Sequence, residues 1–114
     1  MTYERLIADI TDAGYFPQLR LHHNVPLDVT TVRRVDADGT RVAPLIRTFL
    51  DHTGRWILTV LGEDFYQVPD SERVPAATIE ILRAMDYCMH FSPEVIRKYN
   101  LIELDPTEFE TADE

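Results

Sequence analysis

The first segment of the chain has the pattern of an amphipathic helix. Apolar side chains recur at the i, i+3, i+4, i+7 spacing of one helical face, at Tyr3, Leu6, Ile7 and Ile10. Thr2 is suited to cap the start of this helix, and Gly14 is suited to end it. The pattern therefore predicts a helix over Tyr3 to Ala13.

After Pro17 the period changes to two, which is typical of a strand. If Gln18 to Val25 is extended, one face carries Leu19, Leu21, His23 and Val25. His22 and His23 would then point to opposite faces, so the pair would not converge on one metal ion. We interpret His23 as a hydrogen-bonded core histidine and His22 as a surface residue.

The central part of the chain favours further strands. The segment "LDVTTVRRV" is rich in β-branched residues, and Asp36 to Gly39 has the composition of a turn. Residues 44–52 fit either a strand or a helix, with Pro44 allowed at a first helical position. We prefer a strand there, because Asp51 to Gly54 resembles a hairpin turn leading into "RWILTVLG".

That last segment is apolar on more than one side. Trp56, Leu58 and Val60 form one apolar face, whereas the other face mixes Arg55 and Thr59 with Ile57 and Leu61. A strand of this kind is expected in the middle of a sheet and covered on both sides. Helices of the same chain can cover one side, and a second subunit or a partner can cover the other.

The rest of the chain predicts helices and a tail. A short strand "FYQV" precedes a long helix from Pro75 to His90, with Ala76, Ile79 and Leu82 on its apolar face. Ser92 to Glu94 starts a second, short helix, and "LIEL" can add a last strand. Residues 105–114 have too few apolar groups to order themselves.

These elements predict a single α+β domain over residues 1–104, followed by an acidic flexible tail over residues 105–114. The expected architecture is an N-terminal helix, an antiparallel β-meander of four to five strands, and then one long and one short C-terminal helix packed on the sheet. The length of 114 residues suits one hydrophobic core.

Charge narrows the classes of partner. The chain has a formal net charge of -9, and residues 61–114 carry most of the excess acid, whereas residues 18–60 are slightly basic. Nucleic acid and membrane surfaces are poor partners for such a chain, which leaves a protein partner or self-association. A single cysteine, Cys88, and the absence of a signal-peptide pattern favour a cytoplasmic location.

Candidate chemistry is sparse. All four glycines sit where turns are expected, and no phosphate-binding or dinucleotide-binding motif is present, so we predict no cofactor. Cys88 and His90 point apart if they lie on one helix, and Asp51 with His52 lies in a predicted turn. We therefore assign no catalytic, cofactor-binding or metal-binding residue.

The order of elements, the size and the acidity, with "YQVP" leading into a long helix, resemble the layout of type III secretion chaperone-like domains. The resemblance covers residues 2–100 and rests on layout without a diagnostic motif. It implies a dimeric, non-enzymatic domain that binds other proteins. The later strands of that layout are reduced here to "LIEL", so no functional residue is transferred.

The leading hypothesis is a non-enzymatic protein-interaction domain that acts as a chaperone, adaptor or regulator, with a homodimer as one form. Its predicted partner surface consists of Arg20, Arg47, Arg55, Ile57 and Leu61. One alternative is an immunity-like inhibitor whose acidic half mimics a polyanion and binds a basic protein. A second is a small metal-dependent or hydrolytic enzyme that uses His22, His52 or His90.

Overall fold

The computed structural model describes residues 1–42, 45–60, 62–84 and 92–109. These residues form three α-helices, eight strands and two 3₁₀ turns. In chain order they are α1 (Tyr3–Asp12), β1 (Phe16–His22), β2 (Val25–Val32), β3 (Arg34–Val35), β4 (Arg41–Val42), β5 (Ile46–Leu50), β6 (Trp56–Val60), β7 (Asp64–Val68), a 3₁₀ turn (Ser71–Arg73), α2 (Val74–Ala84), α3 (Pro93–Lys98), β8 (Ile102–Leu104) and a 3₁₀ turn (Pro106–Phe109).

Six of the strands form one antiparallel sheet in the order β1-β2-β5-β6-β7-β8, and β3 pairs with β4 as a separate hairpin. The α+β class, the N-terminal helix, the antiparallel sheet and the C-terminal helices are as predicted. The predicted count of four to five strands is too low. The short β3–β4 hairpin is inserted between two sheet strands, and "LIEL" contributes β8 at the far edge.

Helix α1 forms for the reasons that its sequence indicates. The side chain of Thr2 accepts a hydrogen bond from the backbone N–H of Arg5 at 3.1 Å, which satisfies one of the free donors at the helix start. Leu6 and Ile10 are fully buried against the sheet. Gly14 follows the helix with φ at +93°, a conformation that glycine adopts without a steric penalty.

The β1–β2 hairpin differs from the prediction. Strand β1 ends at His22, and a two-residue turn of His23 and Asn24 follows, with φ of 51° and 64°. Positive φ at both central residues is the signature of the tight turns that match strand twist. Our interpretation of His23 as a core residue is wrong, because His23 is exposed in this turn.

The same hairpin contains a β-bulge. Arg20 pairs with Asp28 but the next residue, Leu21, pairs with Pro26, so Leu27 is an extra residue on β2. A bulge bends the strand and increases its local twist. Beyond it the hairpin carries exposed apolar side chains, among them Leu21 and Val25.

Residues 46–50, whose pattern fits either a helix or a strand, form a strand. β5 runs over Ile46–Leu50 and pairs with β6 from Ile46 opposite Val60 to Leu50 opposite Trp56. The local pattern fits a helix as well, and pairing with the two neighbouring strands selects the strand, since β6 pairs with all five residues and β2 with three of them. Pro44 lies outside the described residues.

The helices cover one side of the sheet, which we call the helix face. Leu58, Val60, Tyr66 and Val68 from the sheet join Leu6 and Ile10 of α1 and the buried side of α2 in one core. This core holds the sheet and helices together.

The buried side of α2 is rotated from the predicted stripe. Ala77, Thr78, Ile81 and Leu82 are buried, whereas Ala76 is exposed. The buried hydroxyl of Thr78 donates to the carbonyl of Val74 at 2.9 Å, so a polar residue is tolerated on that side. The predicted continuation of the helix to His90 lies outside the described residues.

Candidate functional site

The side of the sheet opposite the helices differs in composition from the helix face, and we call it the open face. Cross-strand partners share a face, so the pairings assign side chains to this side of the sheet. Those on its central strands include Asp28, Thr30, Arg47, Phe49, Ile57, Thr59, Phe65 and Gln67. Ion pairs and aromatic rings characterise this side of the sheet.

A buried carboxylate organises one end of the open face. The Asp28 side chain is completely buried, and it accepts hydrogen bonds from Arg20 at 2.7 and 2.5 Å and from Arg47 Nε at 2.7 Å. Arg20 lies opposite Asp28 on β1, and Arg47 comes from β5, so the three side chains link three adjacent strands. Burying a carboxylate is tolerated because two guanidinium groups compensate its charge.

The same contacts determine the protonation of Asp28. Burial alone would raise the pKa of this carboxyl, but the hydrogen bonds and positive charges of Arg20 and Arg47 outweigh burial and lower its pKa. Asp28 is therefore ionised at neutral pH. Arg20 and Arg47 thus share one ionised aspartate at this end of the open face.

The turn between β5 and β6 is built around Asp51. Its carboxylate accepts hydrogen bonds from the backbone and hydroxyl of Thr53 and from the backbone and Nε of Arg55, at 2.7 to 3.0 Å. Burial raises the pKa of Asp51, and these hydrogen bonds lower it by more. The predicted turn is confirmed, and the partners of Asp51 explain its presence without a catalytic role for His52.

Aromatic rings occupy the other part of the open face. Phe109 stacks on Phe65 with ring centroids 4.5 Å apart and an interplanar angle of 11°, and it meets Phe49 edge-on at 5.9 Å. The guanidinium of Arg47 lies over the Phe49 ring at 5.2 Å from its centroid. We call residues 105–109 the C-terminal strap, because they follow β8 and bring Phe109 onto the sheet.

The strap lies in the segment that the sequence analysis assigns to an acidic flexible tail. Residues 105–109 were expected in a flexible tail, but Pro106–Phe109 forms a 3₁₀ turn whose last ring packs on the sheet. An isolated aromatic residue among acids gives a weak sequence signal. Its stacking partner is supplied by a strand that lies far away in the chain. Residues 110–114 lie outside the described residues.

Between the strap and the ends of the strands lies a groove of about 620 Å³. Apolar and charged groups from four segments contribute to it. The lining residues are Pro26, Leu27, Arg47, Phe49, Leu50, Asp51, His52, Arg55, Glu108 and Phe109. Mixed lining of this kind, with apolar groups beside a few charges, is typical of ligand-binding and partner-binding sites.

Exposed apolar side chains are concentrated in one half of the sheet. Within the described residues, six of the seven large exposed hydrophobic side chains come from β1, the start of β2 and the end of β5. They are Phe16, Leu19, Leu21, Val25, Leu27 and Leu50, whereas the seventh, Ile102, lies on β8 at the opposite edge of the sheet. Of the six, Leu27 and Leu50 line the groove, whereas Phe16 lies at the far end of β1.

The structure brings some residues of the predicted partner surface together and separates others. Arg20 and Arg47 meet on Asp28, and Arg47 and Arg55 line the same groove. Ile57 lies on the open face as expected, but its side chain has no exposed surface, so direct contact with a partner is not available to it. Leu61 lies outside the described residues.

The histidines do not form a shared centre in the described part of the chain. The rings of His22 and His23 meet edge-on, with centroids 4.2 Å apart, because the turn brings together side chains that a continuous strand would separate. His52 lines the groove, and Cys88 and His90 lie outside the described residues. No group of three or more histidine, cysteine, aspartate or glutamate side chains within those residues could hold a metal ion.

No family model matches this chain. No curated protein and no solved structure matches it either. The resemblance to type III secretion chaperone-like domains therefore stays a prediction. None of the described helices is long and apolar enough to cross a membrane.

Two features of the site escaped the sequence analysis. Asp28 was not recognised as the partner of Arg20 and Arg47, because that contact needs the register of three strands. Phe109 was missed because its neighbours are acidic. The available signals were a lone acid in a β-branched segment and a lone ring in an acidic segment.

Proposed function

We propose that this chain is a non-enzymatic protein-interaction domain, acting as a chaperone, adaptor or regulator, and that it binds its partner through the groove. One observation gives the strongest support to the groove as the binding site. Exposed apolar side chains, Leu27 and Leu50, line it together with Arg47 and Arg55. Protein interfaces combine an apolar centre with a charged rim in the same way.

The electrostatics of the groove favour a partner segment with some acidic character. Arg20, Arg47 and Arg55 together with Asp28 and Asp51 carry one net positive charge, which Glu108 of the C-terminal strap balances, on a molecule that is strongly acidic as a whole. A small positive region in a negative field gives orientation to an approaching partner. Self-association would use the same surface, with the two copies related by a two-fold axis.

The acidic residues that the structure describes give less support to the alternative of a polyanion-mimicking inhibitor than to the proposed function. Glu72 pairs with Arg5, Glu80 pairs with Lys98, and Glu103 accepts from the Tyr66 hydroxyl. A polyanion mimic needs carboxylates that remain available to a basic partner, and these three have partners within the chain.

A pair of matched variants tests the proposal. Leu27→Glu places a charge in the groove, and Ile102→Glu makes a similar change on a side chain of comparable exposure, 48% against 38%, at the other edge of the sheet. Immobilised wild type and both variants are used to capture partners from native lysate at two salt concentrations, with the oligomeric mass measured alongside.

We expect Leu27→Glu to lose the captured partner or the dimer and Ile102→Glu to retain it. Equal retention by both folded variants would contradict the groove as the site. Capture that disappears only at high salt, with both variants, would favour the inhibitor alternative, since exposed charges are screened within about 8 Å at physiological ionic strength. Elemental analysis of the purified protein tests the metal-dependent alternative.

A further inference from the structure

The chain's own C-terminal strap forms one wall of the groove and covers the aromatic rings beside it. Its backbone turns locally, since the backbone N–H groups of Thr107 and Glu108 donate to the side chain and carbonyl of Asp105. Pro106, Thr107 and Glu108 are exposed, and Phe109 is the half-buried member of the segment. The strap therefore holds itself in a turn and contacts the sheet through an aromatic anchor.

The surface beneath the anchor suits an aromatic ring. Phe65 offers its face to Phe109 and Phe49 offers the edge-on contact, and Ile57 lies between Phe49 and Gln67 in the strand register. Stacked and edge-on ring pairs are favourable beyond the area that they bury. A segment without a ring would leave these contacts unused.

The charges beside the anchor suit an acid. Glu108 precedes Phe109 and lines the same groove as Arg47 and Arg55. An acid followed by an aromatic residue thus meets basic side chains and a ring-lined surface in succession. The strap itself has this order of chemistry in "TEF".

We propose that the partner carries a short acidic segment with an aromatic anchor, and that the C-terminal strap, with Phe109 stacked on Phe65, holds that place in the free protein. This inference rests on the proposed function and names the chemistry of the partner for that same groove. A tethered segment acts at an effective concentration of about millimolar, so the strap would exclude weak competitors and yield to a tighter partner.

The test uses a fluorescent peptide with the sequence of residues 105–110, "DPTEFE", added to the full-length chain. Phe109→Ala removes the tethered ring, and Phe16→Ala makes the same chemical change at an exposed phenylalanine on β1. Binding is measured by fluorescence anisotropy at low salt, and folding of each variant is checked by circular dichroism.

We expect Phe109→Ala to bind the peptide at least tenfold more tightly than wild type, and Phe16→Ala to behave as wild type. A peptide with alanine in place of its phenylalanine should not bind. If Phe109→Ala does not fold, Phe109→Leu retains apolar bulk without a ring and should show a smaller gain in the same direction.

Equal peptide binding by wild type and the folded Phe109 variant would overturn the inference. A gain that persists with the phenylalanine-free peptide would overturn it as well, since the ring would then not be the anchor. In either case, loss of the natural partner by Leu27→Glu would still support the groove, and only the chemistry assigned to the partner would be wrong.

Discussion

The two sides of the central sheet are buried by different kinds of contact. On the helix face, Leu58 and Val60 pack against Leu6 and Ile10, and contact among apolar groups determines the arrangement. On the open face, a buried aspartate is held by two arginines and a phenylalanine ring is covered by a short C-terminal segment. The difference supports the proposal that the open face serves recognition, because charges and half-covered rings can exchange partners and a packed aliphatic core cannot.

The largest effect is expected from truncating the sheet core. Ile57 and Leu58 are adjacent, fully buried and on opposite faces. Each change to alanine should lower the free energy of unfolding by about 2–5 kcal/mol, since both leave cavities. We expect the larger loss for Leu58→Ala, because helices cover it whereas the strap is part of the thinner cover over Ile57. Urea unfolding monitored by circular dichroism measures both.

A cost for Ile57→Ala below about 1 kcal/mol would show that the open face is not closed in solution. The two faces would then differ as a packed core differs from an exposed surface. Equal costs would make the open face a second core.

The next effect concerns the buried carboxylate. Asp28→Asn removes the negative charge that Arg20 and Arg47 share, and breaking a buried ion pair costs about 3 kcal/mol or more. Chemical denaturation at pH 7 measures the loss. Arg34→Gln, at an exposed position on β3, is the charge control and should stay within about 0.5 kcal/mol of wild type.

The same carboxylate predicts a dependence on acid. The pKa of Asp28 is lowered from its ordinary value of 3.8, so the folded state binds this proton less readily than the unfolded state does. The stabilisation is present above that ordinary value and is lost as the pH falls through the lower, folded-state pKa. Thermal unfolding between pH 2 and 6, roughly the range where carboxyls titrate, should show a flatter acid limb for Asp28→Asn than for wild type. Parallel limbs would contradict the assignment.

The smallest change in stability is expected at two buried hydroxyl groups. Thr48 on the helix face and Thr59 on the open face each have a buried Oγ with no hydrogen-bond partner among the described residues. Replacing either with valine should stabilise the protein by about 1 kcal/mol, because the shape is kept and the unpaired polar group is removed. If water reaches the open face under the strap, Thr59→Val will gain less than Thr48→Val in the same urea titration.

The sequence predicted those parts of the fold that depend on local pattern. Helix α1, the turn at Asp51 and the final strand at Ile102–Leu104 follow from periodicity and turn chemistry. The strand at Ile46–Leu50 was inferred from the turn that follows it, because its own periodicity also fits a helix. The buried side of α2 was placed one residue away, since a threonine takes a core position by bonding to its own helix.

The candidate site was less accessible to prediction. Arg47 and Arg55 were named, but their common groove depends on the C-terminal strap and on the bulge in β2. His23 was misplaced because a turn of His23 and Asn24 lacks the glycine that usually marks a two-residue hairpin. Contacts across strands depend on register, which a single sequence specifies weakly.

The bulge at Leu27 makes the proposed groove depend on the number of residues in β2. Leu27 is an additional residue that interrupts the ladder between Asp28 and Pro26, and it lines the groove. Deleting Leu27 would restore regular pairing and leave Pro26 opposite Leu21, so the remaining residues would keep their sides of the sheet. The deletion would remove one exposed apolar side chain and the local bend of the strand, so a change in chain length at this position reshapes one wall of the groove while the rest of the hairpin is retained.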